Sequence, residues 1–157
     1  MWRLPLLRAG RPYESLEAVT LADFRTEDQV ARVSQANPGL IAKDLGNSDR
    51  NQRVLQNFSV GELLSICKKA AFHFLHSDLP VGDRTQSPEE YVKALSATTG
   101  MPEALCRKNM LKIHLVLDNM RSVLGGLTRG LDLSILDSGW AVQGERPLSY
   151  FCETTVL

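Results

Sequence analysis

The most reactive side chains in this sequence are three cysteines and three histidines. The cysteines are Cys67, Cys106 and Cys152, and His73 and His76 follow Cys67 closely enough to share its helix. Zinc needs three or four ligands that converge on one point, and His73 on a helix faces away from Cys67. We therefore interpret His73 and His76 as surface histidines near a helix end. A small metal-binding regulator built on Cys67, His73 and His76 is an alternative that ranks lower.

None of the three cysteines has the surroundings of a catalytic thiol. Cys67 lies on an apolar helical stripe and Cys106 lies near another, which is typical of core positions. Cys152 falls in a β-prone segment without a candidate base beside it, so we predict a structural position for it as well. An odd number of widely spaced cysteines also favours free thiols in a reducing compartment, and we expect a cytoplasmic protein.

A glycine-rich stretch, residues 125–130, has the look of a phosphate loop. It lacks the Lys-Ser/Thr pair of a P-loop and follows a predicted helix instead of a strand. A helix C-cap with a hinge is the favoured interpretation, and phosphate binding is the alternative. No GxSxG, HExxH or CxxC spacing occurs, so the residues themselves predict no catalytic, cofactor-binding or metal-binding position.

The composition argues against several classes of partner. Eighteen basic side chains balance eighteen acidic ones, and the basic residues are scattered without interleaved aromatics, which argues against nucleic acid. The apolar runs are too short for a membrane-spanning helix. Arginines near the start leave a transit peptide as one interpretation of residues 1–11, but we expect a frayed N-terminal arm there.

The elements that would position these groups begin with a predicted β-hairpin. Residues 16–21 and 30–34 are β-prone and a polar stretch separates them. Asn37, followed by a proline, then opens a short helix. A further short helix is predicted over residues 131–136, and residues 149–157 have the composition of a terminal strand.

Three amphipathic helices make up the predicted core. The first starts at Ser59 with a capping box and ends near Ser77, the second starts at Ser87, and the third runs from Pro102 to Gly125. The apolar spacing predicts two buried stripes. They comprise Val60, Leu63, Leu64, Cys67, Ala71, Phe74 and Leu75 in the first helix, and Leu105, Ile113, Val116, Leu117, Met120 and Leu124 in the third. The sequence thus predicts a mainly α protein of the α+β class.

A strand at the very end of a chain leaves an unpaired edge. We therefore expect residues 148–157 to associate with another copy of the chain or to pair with sequence that follows Leu157, and we interpret the chain as a truncated or split gene product.

Six stretches carry a resemblance to the N-terminal region of aldehyde dehydrogenases and related acyl-CoA reductases. The first is similar to the second hairpin strand and its exit, and the second is similar to the first covering helix. The third and fourth are similar to the next helix and its turn, and the last two are similar to segments of a divergent, mainly bacterial branch. They are residues 30–37 (Val-Ala-Arg-Val-Ser-Gln-Ala-Asn), 62–71 (Glu-Leu-Leu-Ser-Ile-Cys-Lys-Lys-Ala-Ala), 87–92 (Ser-Pro-Glu-Glu-Tyr-Val), 99–102 (Thr-Gly-Met-Pro), 127–133 (Leu-Thr-Arg-Gly-Leu-Asp-Leu) and 145–150 (Glu-Arg-Pro-Leu-Ser-Tyr).

The resemblance implies that residues 12–157 are a partial cofactor-domain region of an α/β oxidoreductase that uses NAD or NADP. The family's catalytic Asn, Lys, Glu and Cys would all lie downstream of Leu157, so no site residue transfers to this chain. Cys152 precedes the family's Pro-x-Asn turn and is not its nucleophile. A small helical protein–protein interaction domain without enzymatic activity is the alternative function, since amphipathic helix faces commonly bind partners.

Overall fold

Capping residues and tight turns divide the chain into many short elements. The structure, a computed structural model, describes residues 1–149 and is an α+β fold with about 50% helix, which confirms the predicted class. Its helices are α1 (Pro38–Leu45), α2 (Ser48–Leu55), α3 (Val60–His76), α4 (Pro88–Thr99), α5 (Glu103–Asp118), α6 (Met120–Leu127) and α7 (Ile135–Ser138). Its strands are β1 (Trp2–Leu4), β2 (Leu6–Arg8), β3 (Arg11–Tyr13), β4 (Ala18–Ala22), β5 (Gln29–Ser34), β6 (Leu79–Val81), β7 (Arg84–Gln86), β8 (Trp140–Gln143) and β9 (Arg146–Ser149).

The predicted helix starts are confirmed by their side-chain caps. The Ser59 backbone N–H donates to the Glu62 carboxylate over 2.7 Å, and the Glu62 N–H donates to the Ser59 hydroxyl over 3.2 Å. Ser87 and Glu90 form the same capping box at the start of α4. Asn37 caps α1 by accepting a backbone N–H through its side chain. Each cap satisfies a donor that the first turn leaves without a partner, which fixes where the helix begins.

The core lies where α3, α4 and α5 meet. Ala71 of α3, Val92 of α4 and Cys106 of α5 are almost completely buried, and Met110 packs against Val92 and Cys106. Leu64, predicted to lie on the core face of the first helix, is buried there. These three helices therefore hold most of the apolar surface that is removed from water.

The buried face of α5 differs from the predicted stripe. We predicted Leu105, Ile113 and Val116 on that face, and this is wrong because all three are exposed. The buried residues of α5 are Cys106 and Met110 instead. α5 contacts α3 beside a fully buried alanine. Cys106, Met110 and His114 recur every four residues, so they share one face of α5, and this is the face that packs.

The third predicted helix is also interrupted. It was expected to run to Gly125, but α5 ends at Asp118 and α6 begins at Met120. Asn119 between them has φ −99° and ψ 15°, and its side-chain amide donates to the Leu115 carbonyl over 2.9 Å. The Leu115 carbonyl also accepts the Asn119 backbone N–H over 3.1 Å, so the last turn of α5 is closed before the chain enters α6.

The N-terminal sheet consists of β1, β5 and β4, with β5 in the centre. β5 is antiparallel to β4 and parallel to β1, so the hairpin predicted from residues 16–21 and 30–34 is confirmed. The frayed arm predicted for residues 1–11 is wrong, because β1 pairs with β5 and β2 pairs with β3. Backbone pairing satisfies the donors and acceptors that a frayed segment would leave to water.

Several short elements are not apparent from the sequence patterns. They are α2 and the hairpins β2–β3, β6–β7 and β8–β9. The helix predicted over residues 131–136 is wrong in its position, since α7 spans Ile135–Ser138. The predicted terminal strand coincides with β9 only at Ser149. Its remaining part, residues 150–157 with Cys152, lies outside the residues that the structure describes.

The turn between β6 and β7 makes a close contact with β1. Gly82 has a φ of +63°, and a Cβ at this position would overlap the backbone carbonyl of Arg3. Gly10, between β2 and β3, has a similar φ of +76° but has no atom within 4 Å of its Cβ direction. Both glycines thus have a positive φ, which favours glycine. Only at Gly82 would a side chain also collide with another part of the chain.

We expect Gly82→Ala to destabilise the fold more than Gly10→Ala does. The positive φ costs each variant about 1–2 kcal/mol, and the overlap with Arg3 adds about 1–3 kcal/mol at Gly82 alone. Denaturant unfolding of both variants and the unchanged protein measures the difference. Equal losses would show that the turn does not press on β1.

The two capping boxes predict how stability depends on pH. A hydrogen bond from the Ser59 backbone N–H is the main cause that lowers the pKa of Glu62, and one from Ser87 does the same for Glu90. A carboxyl with a lowered folded-state pKa stabilises fully above its unfolded value, here near 4.5, and this stabilisation is lost as the pH falls through the folded value.

We therefore expect the melting temperature to fall as the pH decreases below about 4.5. In a Glu62→Gln, Glu90→Gln double variant the fall is shallower, because glutamine keeps an acceptor oxygen but does not titrate in this range. Glu145→Gln serves as the control, since the Glu145 side chain forms no hydrogen bond or ion pair with another residue of 1–149. Parallel curves for the double variant and the unchanged protein would contradict the prediction.

Candidate functional site

A cavity separates the N-terminal sheet from α4. Its upper wall is one face of the sheet, where Trp2 of β1 and Leu21 of β4 both lie opposite Ala31 of β5. Side chains alternate between the two faces of a strand, so these residues point the same way. The lower wall is the α4 face that carries Tyr91 and Leu95, which are four residues apart and therefore neighbours on the helix.

The cavity is half open and has a volume of about 360 Å³. Ligand sites in proteins have volumes of roughly 300–1,000 Å³ and mostly apolar walls. The lining contains no Asp, Glu, Lys, Arg or His side chain. It is made of Trp2, Leu4, Leu21, Val30, Ala31, Val33, Phe74, Ser77, Leu79, Val81, Gln86, Ser87, Pro88, Tyr91, Ala94, Leu95, Thr98 and Met110. This chemistry favours an uncharged occupant.

Most polar groups in the lining are already used within the fold. The Ser87 hydroxyl belongs to the α4 capping box, Thr98 Oγ1 donates to a carbonyl of its own helix, and Ser77 Oγ lies 2.9 Å from a histidine nitrogen. By contrast, the Gln86 amide and the Tyr91 hydroxyl form no hydrogen bond with another residue of 1–149. These two groups remain able to bond to an occupant.

The histidines and Cys67 do not form a metal centre. His73 and His76 are exposed on the last turns of α3, as predicted, while Cys67 is half-buried rather than a full core residue. The rings of His76 and His114 lie with their centroids 6.2 Å apart. Within residues 1–149 no cluster of three or more His, Cys, Asp or Glu side chains is placed to hold a metal ion.

His114 links α5 to α3, and it is not among the residues that the sequence patterns indicated. Its Nδ1 lies 3.0 Å from the carbonyl oxygen of Ala71. A carbonyl oxygen can only accept, so Nδ1 carries the hydrogen in this contact. His114 lies four residues after Met110, so the two side chains share the packed face of α5. This spacing is the sequence signal by which His114 could have been found.

Residues 125–130, the glycine-rich stretch, lie at the end of α6. This agrees with their interpretation as a helix C-cap. The Gly130 backbone N–H donates to the Gly125 carbonyl over 2.7 Å, and Gly130 has a φ of +77°. This bond satisfies a carbonyl in the last turns of α6. A dinucleotide is bound where a parallel strand leads through a Gly-rich turn into a helix. Among residues 1–149 the parallel strands β1 and β5 are linked through β2, β3 and β4, and no Gly-rich turn leads from either strand into a helix.

A second cleft lies between the β2–β3 hairpin and helices α1 and α2, with a volume of about 910 Å³. Arg8 crosses it and binds both carboxylate oxygens of Asp44, at 2.7 and 2.6 Å. The hydrogen bond with Arg8 lowers the pKa of Asp44. Because the guanidinium and the carboxylate already satisfy each other, the pair connects hairpin and helix and presents no free charge to a ligand.

Helices α5 and α6 carry apolar side chains on their outer surface. Leu111 and Leu115 are exposed on α5, the latter by 60%, and Val123 and Leu127 are exposed on α6, the latter by 75%. Each pair is four residues apart, so its members are neighbours on one helix face. Single exposed apolar side chains are common, whereas neighbouring ones on successive helices are typical of a contact surface.

Comparison with known proteins gives no relative for this chain. No protein-family model matches the sequence, and no curated protein or solved structure matches it significantly. Within residues 1–149, no helix is both long enough and apolar enough to cross a bilayer.

Proposed function

We propose that this chain supplies the N-terminal, cofactor-domain part of an NAD(P)-dependent aldehyde dehydrogenase-like oxidoreductase, without its catalytic residues. The resemblance of residues 12–157 suggests this assignment. The observation that carries it is the apolar outer surface of α5 and α6, where Leu115 and Leu127 are exposed. Helices that cover a neighbouring domain need such a surface, because the domain they cover removes it from water.

The order of elements also supports the proposal. The resemblance implies an early hairpin followed by covering helices, and here the β4–β5 hairpin precedes α3, α4 and α5. Residues 62–71 and 87–92, similar to two of the covering helices, lie in α3 and at the start of α4. α5, whose outer surface is apolar, follows these two helices in the chain, and together the helices would cover the cofactor domain of which they are part.

The chemistry of that family needs a cysteine thiolate that attacks a carbonyl, and the hydride then passes to the nicotinamide. Cys106 cannot act in this way, because it is completely buried and its Sγ lies 3.7 Å from the carbonyl oxygen of Met101. Cys67 is half-buried on α3 and forms no hydrogen bond with a base among residues 1–149.

We expect the isolated chain to oxidise no aldehyde with NAD or NADP and to bind neither cofactor. Turnover needs a nucleophile, an oxyanion donor and a dinucleotide site assembled together. Nicotinamide absorbance with a panel of aldehydes, together with a binding titration of each cofactor, measures both properties. Turnover that Cys67→Ser or Cys106→Ser abolishes would show that the chain has an active site of its own.

The DNA that follows the codon of Leu157 tests the assignment itself. The expected result is a reading frame that begins with Gly and soon reaches a Pro-x-Asn turn. An immediate stop codon with unrelated sequence beyond it would contradict the proposal and favour the second candidate.

The second candidate is a small protein–protein interaction domain. The same outer surface of α5 and α6 favours it, and the formal net charge of zero means that copies of the chain have little net charge repulsion. Residues 148–157, which we expected to pair with another chain, are a separate candidate for association. The two surfaces are distinguishable because substitutions on α5 leave residues 148–157 unchanged.

If the chain self-associates through α5 and α6, Leu115→Glu is expected to reduce the oligomer to a monomer. A charge in an apolar contact has to be desolvated without a partner. Leu16→Glu is the matched control, since Leu16 is fully exposed and far from both helices in sequence. Sedimentation velocity measures the mass. A monomer in all three proteins would contradict self-association through this surface.

A further inference from the structure

We propose that the cavity between the β1–β5–β4 sheet and α4 binds an uncharged apolar molecule with one hydrogen-bonding group, such as a medium-chain alcohol. This inference is independent of the proposed function, because it depends only on the walls of the cavity. It stands whether the chain is part of an oxidoreductase or an interaction domain.

The size of the cavity favours a small organic molecule. An apolar cavity of about 150 Å³ is sufficient to bind benzene, and this one measures about 360 Å³. Along α4 the lining extends from Tyr91 to Thr98, which is about 10 Å at about 1.5 Å per residue. An extended chain of several methylene groups fits such a length, and its transfer from water to the apolar walls is the driving force.

The absence of charged side chains from the lining selects against ions. A carboxylate or an ammonium group among the lining side chains would lose its hydration without meeting an opposite charge there, which is strongly unfavourable. The guanidinium of Arg84 lies over the Trp2 ring at 4.7 Å and is outside the lining. A fatty acid in its ionised form is therefore a poor ligand, while an alcohol of the same chain length pays no such penalty. This difference makes charge the most discriminating property of a test ligand.

Two polar side chains of the lining are available to the polar group of a ligand. Gln86 ends β7 and Tyr91 lies in the first turns of α4, with the α4 cap between them. Both line the cavity, and neither the amide nor the hydroxyl is bonded to another residue of 1–149. Together they can donate to and accept from a hydroxyl group. The apolar chain then extends toward Leu95 and Thr98.

The chain offers a fluorescent reporter in the cavity itself. It has two tryptophans: Trp2 lines the cavity, whereas Trp140 lies in β8 outside it and is exposed. A Trp140→Phe variant therefore reports on the cavity through Trp2 alone. A Trp2→Phe variant reports through Trp140 and serves as the control for effects of the ligand elsewhere.

The experiment titrates 1-decanol and, separately, sodium decanoate at neutral pH into the Trp140→Phe variant. We expect a saturable change in Trp2 emission with 1-decanol, an affinity for decanoate at least about tenfold weaker, and no saturable change in the Trp2→Phe variant. A saturating amount of 1-decanol is also expected to raise the melting temperature, because it binds the folded state.

Two further variants locate the site, each made in the Trp140→Phe background. Ala94→Leu places a larger side chain in the cavity and is expected to weaken 1-decanol binding about tenfold or more. Ala70→Leu is the matched control, since Ala70 is exposed on α3 and does not line the cavity. Gln86→Leu is expected to reduce the preference for 1-decanol over decane without changing the binding of decane.

The absence of a saturable change in Trp2 emission would overturn the proposal, as would equal binding of decanol and decanoate. If Ala94→Leu does not fold, as judged by circular dichroism, the comparison between the Trp140→Phe and Trp2→Phe variants still decides the question. If Ala94→Leu folds and binds 1-decanol as well as Ala70→Leu does, the ligand is not in this cavity and the proposal is wrong.

Discussion

The close contact between α3 and α5 is the constraint on which the rest of the fold depends. The side chain of Ala71 is completely buried, and its carbonyl oxygen accepts a hydrogen bond from His114. A larger side chain at Ala71 would move the helix axes apart and break that bond. Cys106 is also completely buried and leaves room for Val92 of α4. The position of α4, and with it the lower wall of the cavity, therefore follows from two small residues.

Local features of the fold and the buried face of α3 could be predicted from the sequence, whereas the packing face of α5 could not. The caps at Ser59 and Ser87 are formed by residues three positions apart, so the chain contains their full cause. The packing face of α5 depends on what α3 presents to it. Apolar spacing suggested Leu105 and Val116, whereas Cys106 and Met110 are the residues that pack.

The candidate cavity was hidden from sequence analysis for a related reason. Its walls come from strands and helices far apart in the chain, and each contributes only a few apolar side chains. In β1 the alternation of apolar and polar residues, as at Trp2 and Leu4, covers only three positions. An alternation that short does not indicate a strand. The sequence does show that no charged residue occupies the alternating positions, but this becomes informative only when the strands are paired.

Ion pairs connect the elements without accounting for much of the stability. Arg107 of α5 binds Glu89 of α4 through both nitrogens, and Arg8 binds Asp44 in the same manner. These side chains remain in contact with solvent, which screens such pairs, so each pair contributes little to stability. Their two-point geometry instead fixes the direction in which α4 and α1 leave their neighbours.

The sheet and α4 contact each other directly, and each is also held by other elements, which limits how far the gap between them can close. β5 is fixed by backbone pairing with β1 and β4, and α4 is fixed by its contact with α5. The two layers are also joined by a backbone hydrogen bond of 3.0 Å from Phe24 to Ala97. With both layers anchored elsewhere, neither can move to close the gap without breaking its own contacts. An apolar gap that cannot collapse is stabilised by whatever fills it, so the cavity follows from the architecture of the fold and is not a defect of packing.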